Sequence, residues 1–451
     1  MSPSMPTRRG TLQGLTPILV GLVLGLHPVG AGAQTTATLT LEDAIARGLA
    51  NSQRIAELEA RSEAATASAE RRAADRLPVL SLNGGYTRTN HVTEFSIPQP
   101  GAPPNVIYPD IPDNYRSRLD VQWPIYTAGR VDAMERAARA EREAAGEDLA
   151  AARADLRLEI SRAFWALVTA TESDRVVKRS LESIDAHVRD LRSRLEQGLI
   201  PPNDLLSAEA QQSRQRLLAI ETANQRGVSE ADLQRLLGTD SSTRIDPAAT
   251  LEPPGPASIG AADELVAQAQ GRRPERRALE DRAGAARERI AAARAESLPQ
   301  VSIAGGYDYA SPNTRIFPRS SLWEDSWDVA VNATWAIWDG GRSRADRAEA
   351  AATARAAESR VLDFDRQVAF EVRQRRLEVD SSLAAIVAAA DGVRSAQEAF
   401  RVVGERFSVG VATNTEVLDA QTALLQAQLD QTRALATARL ADARLARAVG
   451  Q

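Results

Sequence analysis

"RFSVGVATNTEVLDAQ", residues 406–421, interrupts a long helical pattern rich in Ala, Leu, Arg and Glu. The pattern stops at Gly410, crosses a few turn residues and restarts at Glu416. "RLEQGLIPPNDLLSAE", residues 194–209, has the same layout, with Gly198 in place of Gly410 and Asp204 in place of Glu416. A break that occurs twice signals an internal repeat, and a repeat decides the architecture before any single element does.

The rest of the chain repeats in step. "RLPVLSLNGGYTRT" (76–89) pairs with "SLPQVSIAGGYDYA" (297–310) at a shift of 221 residues, and "WPIYTAGR" (123–130) pairs with "WAIWDGGR" (335–342) at a shift of 212. The tip segments and the pair Gly238 and Gly450 also lie 212 apart. The nine-residue difference falls between Tyr86 and Trp123 in one half and Tyr307 and Trp335 in the other, which marks a loop of variable length, expected at 91–115 in the first repeat and 311–326 in the second. "DPAATLEPPGPASIG" (246–260) reads as the connector between repeats.

Each repeat predicts helix, strand, loop, strand, long helix, turn and helix. Leu80, Leu82 and Tyr86 oppose Ser81, Asn83 and Thr87, and Leu119, Val121, Trp123 and Ile125 oppose Asp120 and Gln122. In the second repeat Val301, Ile303, Tyr307 and Tyr309 oppose Ser302 and Asp308, and Val329, Val331, Trp335 and Ile337 oppose Asp328, Asn332 and Thr334. This period of two predicts strands with one apolar and one polar face. Val177, Leu181, Ile184, Val188, Leu191 and Leu195 step by four and three, a coiled-coil spacing, and Val393, Phe400, Val403 and Phe407 match four of those sites in the second repeat. Residues 131–197 and 343–409 hold no proline, so each predicts one helix of roughly 100 Å. The segments 41–75 and 203–237 are each about half as long. A break is expected near Asn51, and Pro274 forces the equivalent one in "GRRPE". Two short helices end to end then match one long antiparallel helix, with a waist near the connector.

Composition narrows the function. The 451-residue chain has no cysteine, which excludes disulfides, thiolate metal sites, cysteine nucleophiles and an acylated N-terminal cysteine. A net charge of -5 argues against a nucleic-acid partner. Arg8 and Arg9, the apolar run "LTPILVGLVLGL" (15–26) and the small residues "AGA" (31–33) form the three parts of a secretory signal over residues 1–33. The apolar run is shorter than the roughly 20 residues a spanning helix needs.

Strands of about ten residues suit a tilted membrane β-strand. Tyr86, Trp123, Tyr307, Trp327 and Trp335 are candidates for the interfacial girdle of a membrane barrel. The strands alone also fit a soluble β-sandwich. Four strands cannot close a barrel, for which about eight are needed. Closure therefore requires several chains: two copies supply eight strands and three supply twelve.

The motifs "LP" before a strand (Leu77-Pro78, Leu298-Pro299), "WPIYTAGR", "WAIWDGGR" and above all "FSVGVATNTEVLDAQ" resemble those of the outer-membrane efflux protein family of TolC-like channels, over residues 41–450. The resemblance implies a fold made of an α-helical barrel plus a transmembrane β-barrel. A homotrimer would join twelve strands in the outer membrane to a twelve-helix tunnel through the periplasm. It implies an exit duct that works with a periplasmic adaptor (membrane fusion) protein and an inner-membrane RND or ABC transporter, which supplies the energy. On this reading the chain divides into a signal peptide (1–33), periplasmic helices (34–76), a β-hairpin set in outer-membrane lipid (77–128) and a helical hairpin (129–239). An equatorial connector (240–260) follows, then the second helices (261–297), second β-hairpin (298–340) and second helical hairpin (341–451).

The tips carry the candidate site. Gly198 and Gly410 supply the backbone freedom of a helix end. By resemblance, Leu199 and Val411 are exposed adaptor contacts, and Glu416, Asp419 and Asp204 belong to the pore constriction, where acidic rings favour cations. Thr413 and Glu416 also fit a capping box, and Asp204 and Asp419 also suit a helix N-terminus. In the family's best-known member a tyrosine and an arginine help lock the tip helices against an aspartate that matches Asp204. Phe407 and Ala412 stand at those two positions, so closure is expected to depend more on packing. An enzyme is disfavoured: His91 and His187 lie apart, and "GGY" and "DGGR" read as turn glycines rather than a dinucleotide fingerprint. No cofactor or metal site is expected. The competing reading is a periplasmic coiled-coil structural protein without a pore.

Overall fold

The computed structural model describes residues 36–240, 242–253 and 260–451. The expected signal peptide and part of the connector lie outside these residues. The first repeat begins with a short strand β1 (Thr36–Leu39), then α1 (Leu41–Asn51) and α2 (Gln53–Ala74). Thr40 caps α1 by accepting from the Asp43 N–H, and Ser52 caps α2 by accepting from Ile55, so the break near Asn51 is two helices with separate starts. Strands β2 (Val79–Arg88), β3 (Phe95–Gln99), β4 (Ala102–Tyr108) and β5 (Asp113–Tyr126) follow, then α3 (Arg130–Glu196), α4 (Pro202–Leu237) and β6 (Arg244–Pro247). The second repeat comprises α5 (Ala262–Arg272), α6 (Pro274–Ala295), β7 (Gln300–Ser311), β8 (Glu324–Thr334), α7 (Arg342–Ser408) and α8 (Asn414–Ala448). Pro274 opens α6 at its first turn, where its missing N–H costs nothing.

Helices α3 and α7 each have 67 residues, and so span roughly 100 Å. In the half that bears the turns, the helices lie side by side in the order α7–α8–α3–α4; in the half next to the strands the order is α2–α3–α6–α7. Four of the strands form one antiparallel sheet, in the order β2-β5-β7-β8. No helix among the described residues is long and apolar enough to cross a membrane.

The largest apolar core sits at the waist. Ile160, Phe164 and Leu167 of α3 pack there with Leu233 and Leu237 of α4, Ile55 of α2, and Leu39 and Ile245 of a parallel ribbon formed by β1 and β6. Gly238 ends α4 in the left-handed region. A Cβ at this position would lie 3.1 Å from the Asn51 side chain, whose amide donates to the Leu237 carbonyl at 2.8 Å. Gly450 does the same in the second repeat, packed on Arg272 and Arg273. Each return helix thus stops against the break in the two-part helix of its own repeat.

Four sequence expectations need correction. The variable loop 91–115 contains the hairpin β3–β4, and its last residues already belong to β5. Glu324 to Ser326, placed in the second loop, belong to β8. That strand ends at Thr334, so Trp335 and Ile337 lie beyond it. Gly84, Gly85, Gly305 and Gly306 are not turn glycines but lie within β2 and β7.

Candidate functional site

Both tips are built by the same backbone device. At the end of α3, Gly198 has φ +68°, its N–H donates to the Leu195 carbonyl (2.9 Å), and Leu199 donates to the Arg194 carbonyl (2.9 Å). At the end of α7, Gly410 has φ +74°, donates to Phe407 (3.1 Å), and Val411 donates to Arg406 (2.8 Å). This pair of bonds satisfies the last carbonyls of a helix and turns the chain back, and glycine adopts the required φ without a Cβ penalty. The residue after each glycine is pushed into solvent: Leu199 is 68% and Val411 65% exposed.

The two return helices start differently. Thr413 and Glu416 form a full capping box: Glu416 Oε2 accepts from the Thr413 N–H at 2.6 Å, and Thr413 Oγ1 accepts from the Glu416 N–H at 3.3 Å. The Thr413 backbone N–H, then its hydroxyl, hold the Glu416 carboxyl below its ordinary pKa. At the matching place in the first repeat Pro201 precedes Pro202, and no side chain caps α4. Asp204 therefore takes no part in a cap; its carboxylate accepts from the Asn203 amide at 3.2 Å. Asp419 is exposed one turn into α8. Ala412 is buried, only 9% exposed, and Phe407 is half-buried.

What joins the two hairpins is a histidine that no sequence motif singles out. His187 on α3 donates through Nε2 to the Asn414 Oδ1 at 2.8 Å, and Asn414 Nδ2 donates to the Asp204 carbonyl on α4 at 3.0 Å. The second bond fixes the amide orientation, and that in turn assigns the Nε2–H form to the imidazole. The ring of Phe407 on α7 lies edge-on to His187 (centroids 5.5 Å apart), with the Arg194 guanidinium 5.0 Å from its centroid. His187 and Asn414 together thereby link all four tip helices. Below it Ile184, Val188 and Leu191 of α3 pack on Leu205 and Ala208 of α4, with Phe407 and Leu418 closing the cluster. Deeper still, Gln421 donates to the Ser180 carbonyl at 3.2 Å. Phe407 carries no hydroxyl and Ala412 no charge, and the hairpins are joined here by neutral hydrogen bonds and an aromatic contact.

At the other end, the sheet separates its faces as the alternation predicts. Leu80, Leu82, Tyr86, Leu119, Trp123, Tyr307, Trp327, Val329 and Val331 are all exposed on the apolar face. Tyr307 and Trp327 are direct cross-strand partners, and Tyr86 opposes Tyr115. Trp123 and Trp335 anchor the sheet to the helices: their indole N–H groups donate to the carbonyls of Arg76 (3.1 Å) and Ser297 (3.2 Å), equivalent positions in the two repeats. The polar face carries a network that the sequence does not announce as a unit. Arg118 donates to Asp120 (2.7 Å), Asp308 (3.3 Å) and Asp328 (3.0 Å), Arg116 donates to Asp308 (2.9 Å), and Asn83 donates to Asp120 (3.0 Å). All four strands are tied by it. The one available signal is the alternation, which places Asp120, Asp308 and Asp328 on one face.

The outer membrane efflux protein family model matches residues 44–239 and 265–451. The chain belongs to the outer membrane efflux protein family. Among its relatives, protein CyaE of Bordetella pertussis is 27% identical over 86% of this chain and 79% of its own length. Outer membrane protein OprJ of Pseudomonas aeruginosa is 25% identical over 80% of this chain and 73% of its own. A membrane protein from Pseudomonas aeruginosa of known crystal structure superposes with a TM-score of 0.77 at 23% identity, covering 91% of this chain and 93% of that one. The fold is the TolC-type channel fold, and this efflux protein resides in the outer membrane.

Proposed function

We propose that three copies of this chain close into one continuous duct, with twelve strands in the outer membrane and a helical tunnel through the periplasm. One observation carries the reading: the chain is an incomplete wall with two matched open flanks. Strands β2 and β8 are the edges of the sheet. In the helical layer α4 and α2 form one flank and α7 the other. The α4 flank exposes Leu206, Leu217, Ile220 and Val228, and α7 exposes Leu362, Phe370, Leu377 and Val387. At 100° per residue each set falls within a single stripe of its helix. Unlike flanks that complement each other make a head-to-tail contact, which generates a ring when the rotation closes. Membership of the family supports a copy number of three.

In this duct the helical tips form the periplasmic mouth. Glu416, Asp419 and Asp204 ring the constriction and favour cations. Leu199 and Val411, presented by Gly198 and Gly410, meet the periplasmic adaptor. The substrate arrives through that adaptor from an inner-membrane RND or ABC transporter, and the duct itself performs no catalysis. Tyr86, Trp123, Tyr307, Trp327 and Trp335 lie at the lipid interfaces. The mass of the detergent-solubilised protein, measured by light scattering with the detergent subtracted, tests the closure. Three chain masses are expected; a single chain mass refutes it.

A further inference from the structure

The segment between β7 and β8 is tied down at four places. Ser311 Oγ donates to the Ser321 carbonyl at 2.8 Å. Asn313, only 2% exposed, donates to the Glu324 carbonyl (3.0 Å) and Ser326 Oγ (3.1 Å) and accepts from the Arg315 N–H (3.0 Å). Arg315 reaches over the sheet edge to donate to the Trp327 carbonyl at 2.7 Å and lies 3.5 Å from the Asp328 carboxylate. Arg319 donates to Tyr108 Oη at 2.8 Å, joining this loop to the β3–β4 hairpin.

The Asn313 and Arg315 ties place residues 312–315 of the loop on the polar side of the sheet, while Trp323 at its far end stacks on Tyr309 of the apolar face. Asp328 belongs to the face that carries Arg118 and Asp308, opposite Trp327 and Val329. Pro312, Asn313 and Thr314 line one polar cavity with Arg116, Arg118 and Asp120. In a membrane barrel the apolar face meets lipid and the polar face meets the lumen. The loop therefore leans over the lumen at its outer end. Gly306 makes room for the network beneath: a Cβ there would collide with the Arg118 guanidinium, so the arginine lies flat across β7. With Arg315 docked, Arg116, Arg118 and Arg315 face Asp120, Asp308 and Asp328, three charges against three.

We propose that the loop between β7 and β8 is a size-selective filter at the outer mouth, latched to the lumenal wall by Arg315. It acts independently of the tips, at the opposite end of the duct, and rests on the reading of the sheet as a barrel wall. Small solutes pass the latched loop; bulky ones require its release. Release of Arg315 also leaves the wall with one uncompensated carboxylate per chain.

The absence of native cysteine allows a direct test. Gln122, exposed on the polar face beyond Asp120 and further from the loop, is replaced by cysteine (Gln122→Cys) in the full-length protein in intact cells. A small membrane-impermeant maleimide and one carrying a polyethylene glycol chain are added from outside. The small reagent is expected to label at the same rate with or without Arg315→Ala, while the bulky reagent labels at least tenfold faster with it. Arg319→Ala, which frees the loop from Tyr108, is expected to accelerate the bulky reagent too, and carries the test if Arg315→Ala does not assemble. Equal bulky-reagent rates in all assembled variants overturn the filter and leave the barrel standing. No labelling by either reagent, with full labelling after denaturation, overturns the barrel reading as well.

Discussion

Replacing His187 with alanine removes the α3 side of the His187–Asn414 junction between the two hairpins. It removes the 2.8 Å hydrogen bond to Asn414, whose side chain is buried at 4%, so the Oδ1 left behind finds no ready substitute. An orphaned buried acceptor costs about 1–3 kcal/mol. Loss of the edge-on contact with Phe407 adds about 0.5–1.5 kcal/mol. Together these weaken the closed tip by about 1.5–4.5 kcal/mol per chain, and each 1.4 kcal/mol is about tenfold in an equilibrium. Nearly all of the lost contacts belong to the junction between hairpins, so the helices themselves persist. The expected result in planar bilayers is a higher resting conductance and longer open dwells, with trimer assembly and helical circular dichroism unchanged. His187→Gln, which keeps an N–H donor, is expected to recover part of the closure. An assembled His187→Ala channel as tightly closed as the wild type would refute the claim that this junction holds the tip.

Other outcomes follow from the same geometry. Thr413→Ala removes the side-chain cap of α8 and should lower stability by about 1 kcal/mol, read in thermal melts, whereas Pro201 has no cap to lose. Gly450→Ala forces a residue at φ +82° against the Arg272 and Arg273 backbone, and should cost at least about 1–2 kcal/mol. Burial alone would raise Glu275, but hydrogen bonds from Arg273 and Arg447 outweigh it and hold its carboxyl down at about 2. A depressed carboxyl adds stability that is complete above its ordinary value of 4.5 and disappears as pH falls toward about 2. Glu275→Gln should therefore destabilise the waist near neutral pH by on the order of 2–3 kcal/mol and flatten the acid limb of a stability–pH curve between those values.

The parts of the molecule legible in its sequence are those that repeat or alternate. The shift of 212 residues located both glycine turns and both long helices, because a helix end that turns back through a left-handed residue favours glycine in both repeats. Period-two alternation assigned the faces of β2, β5 and β7, and it overran β8 only where Trp335 and Ile337 continue the pattern past the last paired residue. The His187–Asn414 contact spans 227 residues, and the position matching His187 in the second repeat is Ala399, so neither spacing nor duplication could flag it. The β1–β6 ribbon pairs four residues at each end of the first repeat, too few for a periodic signal. The lumenal network depends on Gly306 admitting Arg118 across a neighbouring strand, which is a property of register rather than of either segment alone.

The central claim is a water-filled duct whose periplasmic mouth is ringed by carboxylates, and the reversal potential across a planar bilayer under a KCl gradient tests it most directly. The account predicts unitary current steps with a cation-selective potential, which moves toward zero in a Glu416→Gln, Asp419→Asn double variant. Purified, assembled protein that gives no current steps, or a potential that the double variant leaves unmoved, would contradict it.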